Sequence, residues 1–377
     1  MSQTKAQLVS GTTAQDLTVD NINTTSVNNG QTGRKNFIIN GACAIDQRNA
    51  GAAVTSGYAI DRTHIEGFSG GGTGTAQRVA DSPSGLYYSL KVTVTGTDSS
   101  LAAADFYTLR HIIEGSNIAH LGFGASGGTS VTLSFFVKSS VTGIFCAGLG
   151  NGSNNRTMPK EYTINSANTW EKKTLTFPAD TTGTWGTDNG RGFSIRWCLG
   201  AGSTRTATAD TYNASEAHAT SNQTNLFATN AATFQITGLQ LEAGSTATDF
   251  EHKSFSEDLA SCQRYFYMHA NGEFDLSNTD RCPIGLGYGY TSTSGFVFIT
   301  YPTLMRTNPS LYKVVGTDYF NFAYNNNNGY PNDISINRIS SQVCELNFHT
   351  GSSWDQNAAG MFRTYNTAAR VGFAAEL

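Results

Sequence analysis

Two loops carry an aromatic ring among side chains able to bind hydroxyls. Trp185 lies in Thr184-Trp185-Gly186-Thr187-Asp188-Asn189, and Trp354 lies in Gly351-Ser352-Ser353-Trp354-Asp355-Gln356-Asn357. Tyr324 and Tyr330 flank the asparagine run Asn325-Asn326-Asn327-Asn328. A sugar ring lays its C–H face on an aromatic ring while amides and carboxylates take its hydroxyls. Trp185, Asp188, Asn189, Tyr324, Tyr330, Trp354 and Asp355 are therefore the candidate glycan contacts. The competing reading is that each ring caps a core edge, since large aromatics bury most of their area.

Catalytic patterns are weaker. Asp180 and Asp188 flank Trp185, and glycoside hydrolysis needs two carboxylates roughly 5–10 Å apart. Loop aspartates commonly make turns instead. Gly122-Phe123-Gly124-Ala125-Ser126-Gly127 matches the dinucleotide fingerprint, yet a strand and not a helix follows it, near Val131. Gly67-Phe68-Ser69-Gly70-Gly71 matches the nucleophile-elbow pattern inside a glycine run, without the strand and helix that motif needs. The histidines (His64, His111, His120, His218, His252, His269 and His349) show no i, i+4 pair and stand beside no cysteine or acid motif. Cys43, Cys146, Cys198, Cys262, Cys282 and Cys344 are scattered, with no CxxC, and read as free, mostly buried thiols. The expectation is a chain that is not an enzyme, with no catalytic residue, metal or cofactor.

The elements that must position these loops are strands. Charged residues make up 14% of the 377 positions, against about 25% in an average domain, and Gly, Thr, Ser and Asn are abundant. With 22 Phe and 16 Tyr there is ample core material, which argues against disorder. A net charge of −4 without a basic block argues against nucleic acid. No apolar run is long enough to span a bilayer, and the N-terminus lacks the apolar core of a signal peptide.

Leu90–Val94, Val131–Val137, Lys173–Phe177, Phe193–Trp197 and Phe234–Leu241 read as strands separated by turn clusters. Ser254 and Glu257 have capping-box spacing, and Phe255, Leu259, Cys262 and Phe266 recur at helical spacing. Strand patterns resume at Phe296–Ile299 and Ile334–Ile336, and Val371, Phe373, Ala375 and Leu377 alternate to the last residue. The predicted fold class is all-β: a jelly-roll β-sandwich followed by a second, smaller β-sandwich domain, joined by a short helix. The predicted boundaries are 1–34, 35–253, 254–269 and 270–377. Residues 1–34 hold no aromatic residue. Their one alternating piece, with Leu17, Val19 and Ile22, reads either as an anchor that orders against a partner or as part of a disordered leader.

A set of phrases in chain order resembles tail-fibre proteins of marine podophages, including cyanophages. They include Asn36-Phe37-Ile38-Ile39-Asn40-Gly41 with Gln47-Arg48, Tyr58-Ala59-Ile60-Asp61-Arg62, Ser84–Val94, Ile118–Gly124 and Ser134–Gly143. Asn168–Thr174, Ile236–Glu251, Cys262-Gln263-Arg264-Tyr265-Phe266 and Ala374-Ala375-Glu376-Leu377 complete it. Residues 36–250 are also similar to jelly rolls of the carbohydrate-binding-module type. Trp170 and Lys172 match a phrase of those modules. Glu242 is a single acid where they carry consecutive acids that bind a structural Ca²⁺.

The resemblance implies a structural fibre or spike subunit of a phage virion, a tail fibre, displaying β domains for adhesion to host-surface glycan. It implies a homotrimer on the virion exterior, assembled in the host cytoplasm and docked on other virion proteins through residues 1–34. A head fibre or decoration, a tail-assembly protein without a ligand, and a polysaccharide-depolymerising fibre are the alternatives.

Overall fold

The structure, a computed structural model, describes residues 35–272 and 281–377. The anchor candidates Leu17, Val19 and Ile22 lie outside the described residues. The described chain divides into two compact units. One takes 35–44, 51–59 and 63–252; the other takes 45–50, 60–62 and 253–377. The architecture is all-β: a jelly-roll sandwich, a short helix and a smaller sandwich.

The first unit runs through β1 (Gly57–Ile60), β2 (Thr63–Ser69), β3 (Thr73–Val79), β4 (Ser89–Gly96), β5 (Phe106–Glu114), β6 (Val131–Ser139), β7 (Gly143–Asn151), β8 (Thr157–Ile164), β9 (Glu171–Phe177), β10 (Arg191–Ala201) and β11 (Thr233–Ala243). One sheet has the order β1-β2-β5-β10-β7-β8 and the other β3-β4-β11-β6-β9. Consecutive strands repeatedly cross between the sheets, as in a jelly roll. All five strands expected from the sequence lie inside these elements. Alternation decides the faces. On β10, Phe193, Ile195, Trp197 and Leu199 point into the sandwich, and the Trp197 ring meets Phe135 of the facing sheet at 6.0 Å.

The opposite face of β10, with Ser194, Arg196 and Cys198, is not open. The chain from Ser203 to Asn225 runs across it as a strap. His218 Nδ1 lies 3.0 Å from Thr108 Oγ1. The Gln223 side chain accepts from Cys146 N at 2.8 Å and donates to Cys198 O at 3.1 Å, bridging β7 and β10. Ala219 packs on Cys146 and Cys198. Beside the strap, Glu66 of β2 is gripped by Arg196, through Nε at 2.5 Å and Nη2 at 2.7 Å, and also pairs with Arg110. Burial pushes the Glu66 carboxyl up, but the bonds and charges of Arg196 and Arg110 outweigh it and hold it below the usual range.

The second unit opens with α1 (Phe255–Gln263) and continues through β12 (Phe266–Asn271), β13 (Pro283–Gly289), β14 (Ser294–Thr300), β15 (Ser310–Val314), β16 (Phe320–Tyr324), β17 (Asn327–Gly329), β18 (Pro331–Ile339), β19 (Val343–Gly351), β20 (Ala359–Thr364) and β21 (Arg370–Ala374). The capping box at Ser254 and Glu257 is formed in both directions. The helix stops at Gln263, short of the predicted 269, because Phe266 starts a strand paired with Ala374. Phe255 does not pack as its helical spacing implied; it is exposed. The sheets are β12-β21-β15 and β17-β16-β20-β13-β14-β19-β18. Between them lies one core that includes Phe320, Phe322, Phe348, Phe362, Val371 and Phe373. The alternating C-terminal stretch is thus the central strand of the smaller sheet.

Four of the phrases that carry the family resemblance converge in this unit. Arg48 lies 3.5 Å over the Phe266 ring and Arg62 3.6 Å over the Tyr265 ring. Both guanidiniums pair with Glu376, and Gln47 Nε2 donates to Phe266 O at 2.8 Å. Burial raises the Asp61 carboxyl to about 6, against the opposing pull of Arg48 and Gln47. Short segments early in the chain therefore complete a unit built mostly from its end.

Candidate functional site

The two tryptophans are core residues. Trp185 is 6% exposed, edge-on to Phe123, Phe193 and Tyr212, and its Nε1 donates to Thr182 O at 3.3 Å. Trp354 is 4% exposed and packs on Phe322 and Phe348. Tyr324 is buried against Phe322 at 5.3 Å. For the two tryptophans this corrects the expectation, since neighbouring rings close them in; Tyr324, though packed on Phe322, also lines the pocket described below. Asp188 and Asn189 are exposed, and Asp188 Oδ1 accepts from Gly190 N at 2.9 Å in a turn. Asp355 is exposed beside Trp354. Asp180 is buried and grips Arg156 in a bidentate pair at 2.6 and 2.7 Å. Burial raises its carboxyl, yet Arg156 and the Thr182 amide bring it below the ordinary value, the wrong direction for a general acid.

Tyr330 leads to the arrangement that does face solvent, on the outer surface of the seven-stranded sheet. It begins with a reversed alternation. In Ile284-Gly285-Leu286-Gly287-Tyr288-Gly289-Tyr290, the glycines 287 and 289 face the core. A Cβ on Gly289 would lie 2.7 Å from Trp354 Cδ1, and one on Gly295 would lie 2.3 Å from Phe348 Cζ. The large rings of Trp354 and Phe348 fill the room those glycines leave. Several bulky side chains of β13 and β14 consequently point outward: Leu286 is 78% exposed and Phe298 63%, and Tyr288, with Tyr290 just beyond β13, is exposed beside Phe296 at 5.7 and 5.5 Å. Met361 of β20, directly opposite Leu286, extends the strip.

At the Met361 end the strip meets a pocket of about 400 Å³, lined by Arg281, Ala323, Tyr324, Met361, Arg363 and the asparagine run. Asn325 and Asn326 both have positive φ, 42° and 63°, and close the two-residue hairpin between β16 and β17. Arg363 Nε donates to Asn321 Oδ1 at 2.7 Å. Arg281 lies 4.8 Å over the Tyr365 ring, which meets the half-buried Tyr330 at 5.0 Å. Burial, then the like charge of Arg281, lowers the Arg363 guanidinium from its usual value. The structure thus brings Tyr330 and the asparagines together with Arg281, Arg363, Met361 and Tyr365, which the loop-based reading missed. The glycine alternation of β13 was the visible signal.

Among the described residues no group of three His, Cys, Asp or Glu side chains could hold a metal, and no helix is long and apolar enough to cross a membrane. Glu242 accepts from Gln240 Nε2 at 3.0 Å and Thr248 N at 2.8 Å, as a staple for its own loop.

No protein-family model matches the chain, and no curated protein matches it. Similar solved structures include the carbohydrate-binding module TmCBM61 in complex with β-1,4-galactotriose, at 10% identity over 56% of this chain and 99% of that one, TM-score 0.29. Another is the family 11 carbohydrate-binding module of the Clostridium thermocellum cellulase Lic26A-Cel5E, at 12% identity over 53% and 98%, TM-score 0.26. The enzymatically active domain of bacteriophage CBA120 tailspike protein 4 matches at 11% identity, TM-score 0.29, over 55% of this chain and 21% of that chain, so this chain spans about a fifth of the tailspike's length.

Proposed function

We propose that the chain is a fibre or spike subunit of a phage virion, a tail fibre, whose second unit adheres to host-surface glycan through the outer face of the seven-stranded sheet. The observation that carries the adhesive part is the outward row of Leu286, Tyr288, Tyr290 and Phe298 running up to a polar, arginine-lined pocket. Contiguous exposed apolar surface rimmed by polar groups marks a site of interaction. Aromatic faces beside amides and guanidiniums suit a saccharide, which offers an apolar face and a rim of hydroxyls.

The virion part is supported by the sequence phrases that resemble tail fibres, four of which build one ion-pair cluster around Glu376. In this reading the protein stands on the virion exterior as a homotrimer, assembled in the host cytoplasm and docked through residues 1–34. Repetition multiplies weak contacts into avidity without new ones. The protein carries out no catalytic step.

A glycan array probed with the intact protein tests adhesion. Binding should appear and should fall about tenfold in Tyr288→Ser and Phe298→Ser, with unchanged melting. No binding to any glycan or host cell would remove the adhesive part.

One alternative has its own observation. Met361, Leu286 and Phe298 form an apolar strip without an intervening charge, and a head-decorating or tail-assembly protein without a ligand would bury it against another copy. Phe298→Asp would then lower the mass in sedimentation and leave no glycan signal to lose.

A further inference from the structure

Arg281 and Arg363 differ from the other cations of their unit. Arg48 and Arg62 meet Glu376, Lys313 meets Asp333, Arg338 meets Glu345, and Arg306 donates to the carbonyls of Ala375 and Glu376. Among the described residues no carboxylate pairs with Arg281 or Arg363, and the like charge acting on Arg363 is that of Arg281. Two like charges thus share one wall of a pocket in a chain whose net charge is −4.

Neither guanidinium is a loose surface charge. Asn321, fully buried, holds Arg363 by its Nε edge and is itself fixed by bonds to Asn328 Oδ1 at 3.1 Å and Gly329 O at 3.3 Å. The remaining guanidinium nitrogens of Arg363 are left for the pocket. Arg281 is steadied by the Tyr365 ring. A planar fork held this way matches a carboxylate or sulfate, whose two oxygens accept in parallel.

We propose that this pocket takes the anionic substituent of an acidic saccharide, carboxylate or sulfate, so that the adhesive face selects charged over neutral glycans. The inference rests on the adhesive reading above and names its ligand class. The bound anion would neutralise the repulsion between the two arginines, while the strip from Met361 to Phe298 carries the flanking sugar faces.

The test is calorimetric titration of the intact protein with two matched pairs: oligogalacturonate against its carboxyl-reduced product, and a sulfated against a desulfated galactan oligosaccharide. One acidic member should bind at least about tenfold more tightly than its neutral partner, and which pair responds tells carboxylate from sulfate. That preference should shrink between about 0.05 and about 0.5 M salt. Arg363→Gln should abolish it. Arg281→Gln, which touches no core bond, should also weaken it about tenfold and leave melting unchanged. Equal binding of acidic and neutral members would overturn the inference and leave the adhesive reading standing. So would an acidic preference that survives both substitutions. Binding of no member of either pair would remove both.

Discussion

The outer faces of the two large sheets are used in opposite ways. On the six-stranded sheet the chain covers its own surface: the strap from Ser203 to Asn225 lies over β5, β10 and β7, where His218 meets Thr108 and Gln223 bonds Cys146 N and Cys198 O, with the Glu66 cluster beside it. On the seven-stranded sheet no segment of the described residues lies over β13, β14 and β20, and Leu286 and Phe298 are exposed. The outer face of the six-stranded sheet is here internal structure. In the function proposed above, recognition falls to the smaller sandwich. The lesson is that the fold alone does not locate the site; the fate of each sheet face does.

Substitutions should separate the two faces by what they damage. Glu66→Gln leaves Arg196 and Arg110 buried without their carboxylate, and breaking a buried pair this way costs about 3–5 kcal/mol. Hydrogen exchange in β5 and β10 should accelerate accordingly, with glycan binding by the second unit retained. Trp354→Ala empties the core beneath the outward strip and should cost about 3–5 kcal/mol, read as faster exchange in β13 and β19. If that variant melted like the wild type, Trp354 would be a surface residue after all.

The ionic clusters respond to pH with opposite sign. Asp61 has its carboxyl raised from 3.8 to about 6, so the folded second unit holds the proton more tightly than the unfolded chain. Its stability should be highest below about 4 and fall as pH rises toward 6, by up to roughly 3 kcal/mol. Glu66, held below its ordinary value, contributes stability that is present above the unfolded carboxylate range and lost as pH falls. Exchange rates in β21 and β10, followed across this range, should therefore move in opposite directions. Asp61→Asn should flatten the β21 profile.

Smaller effects sharpen the claim about the bare face. Gly289→Ala drives a methyl into Trp354 and should cost about 1–3 kcal/mol, whereas Phe298→Ser on the same sheet should stay within about 0.5 kcal/mol and reduce adhesion alone. A large melting change in Phe298→Ser would mean that its ring is covered in solution.

Much of this was legible in the sequence, and the rest has a physical reason for being hidden. Strand alternation at Val131–Val137 and Phe234–Leu241, and the capping box at Ser254, are local signals, and each element formed where expected. Trp185 and Trp354 misled because glycine-rich, polar flanks look like an exposed loop, while burial depends on distant rings such as Phe193 and Phe348. The same cause hid the candidate site. Leu286, Tyr288 and Tyr290 alternate with glycines, and only the packing of Trp354 and Phe348 against those glycines decides which side is the core. Arg281 and Arg363 are far apart in sequence and become a pair only because β13 lies beside β20, with Pro283 opposite Arg363. The segments 45–50 and 60–62 joined a unit that begins at residue 253, a partnership no local pattern announces.

Hydrogen–deuterium exchange of the intact protein, with and without a saturating acidic oligosaccharide, tests the contrast between the faces most directly. The account predicts new protection in β13, β14 and β20 and around Asn325–Asn328, with the Ser203–Asn225 strap and β10 unchanged. Protection confined to the strap and β10 would contradict it, and would return recognition to the face that the chain covers with its own residues.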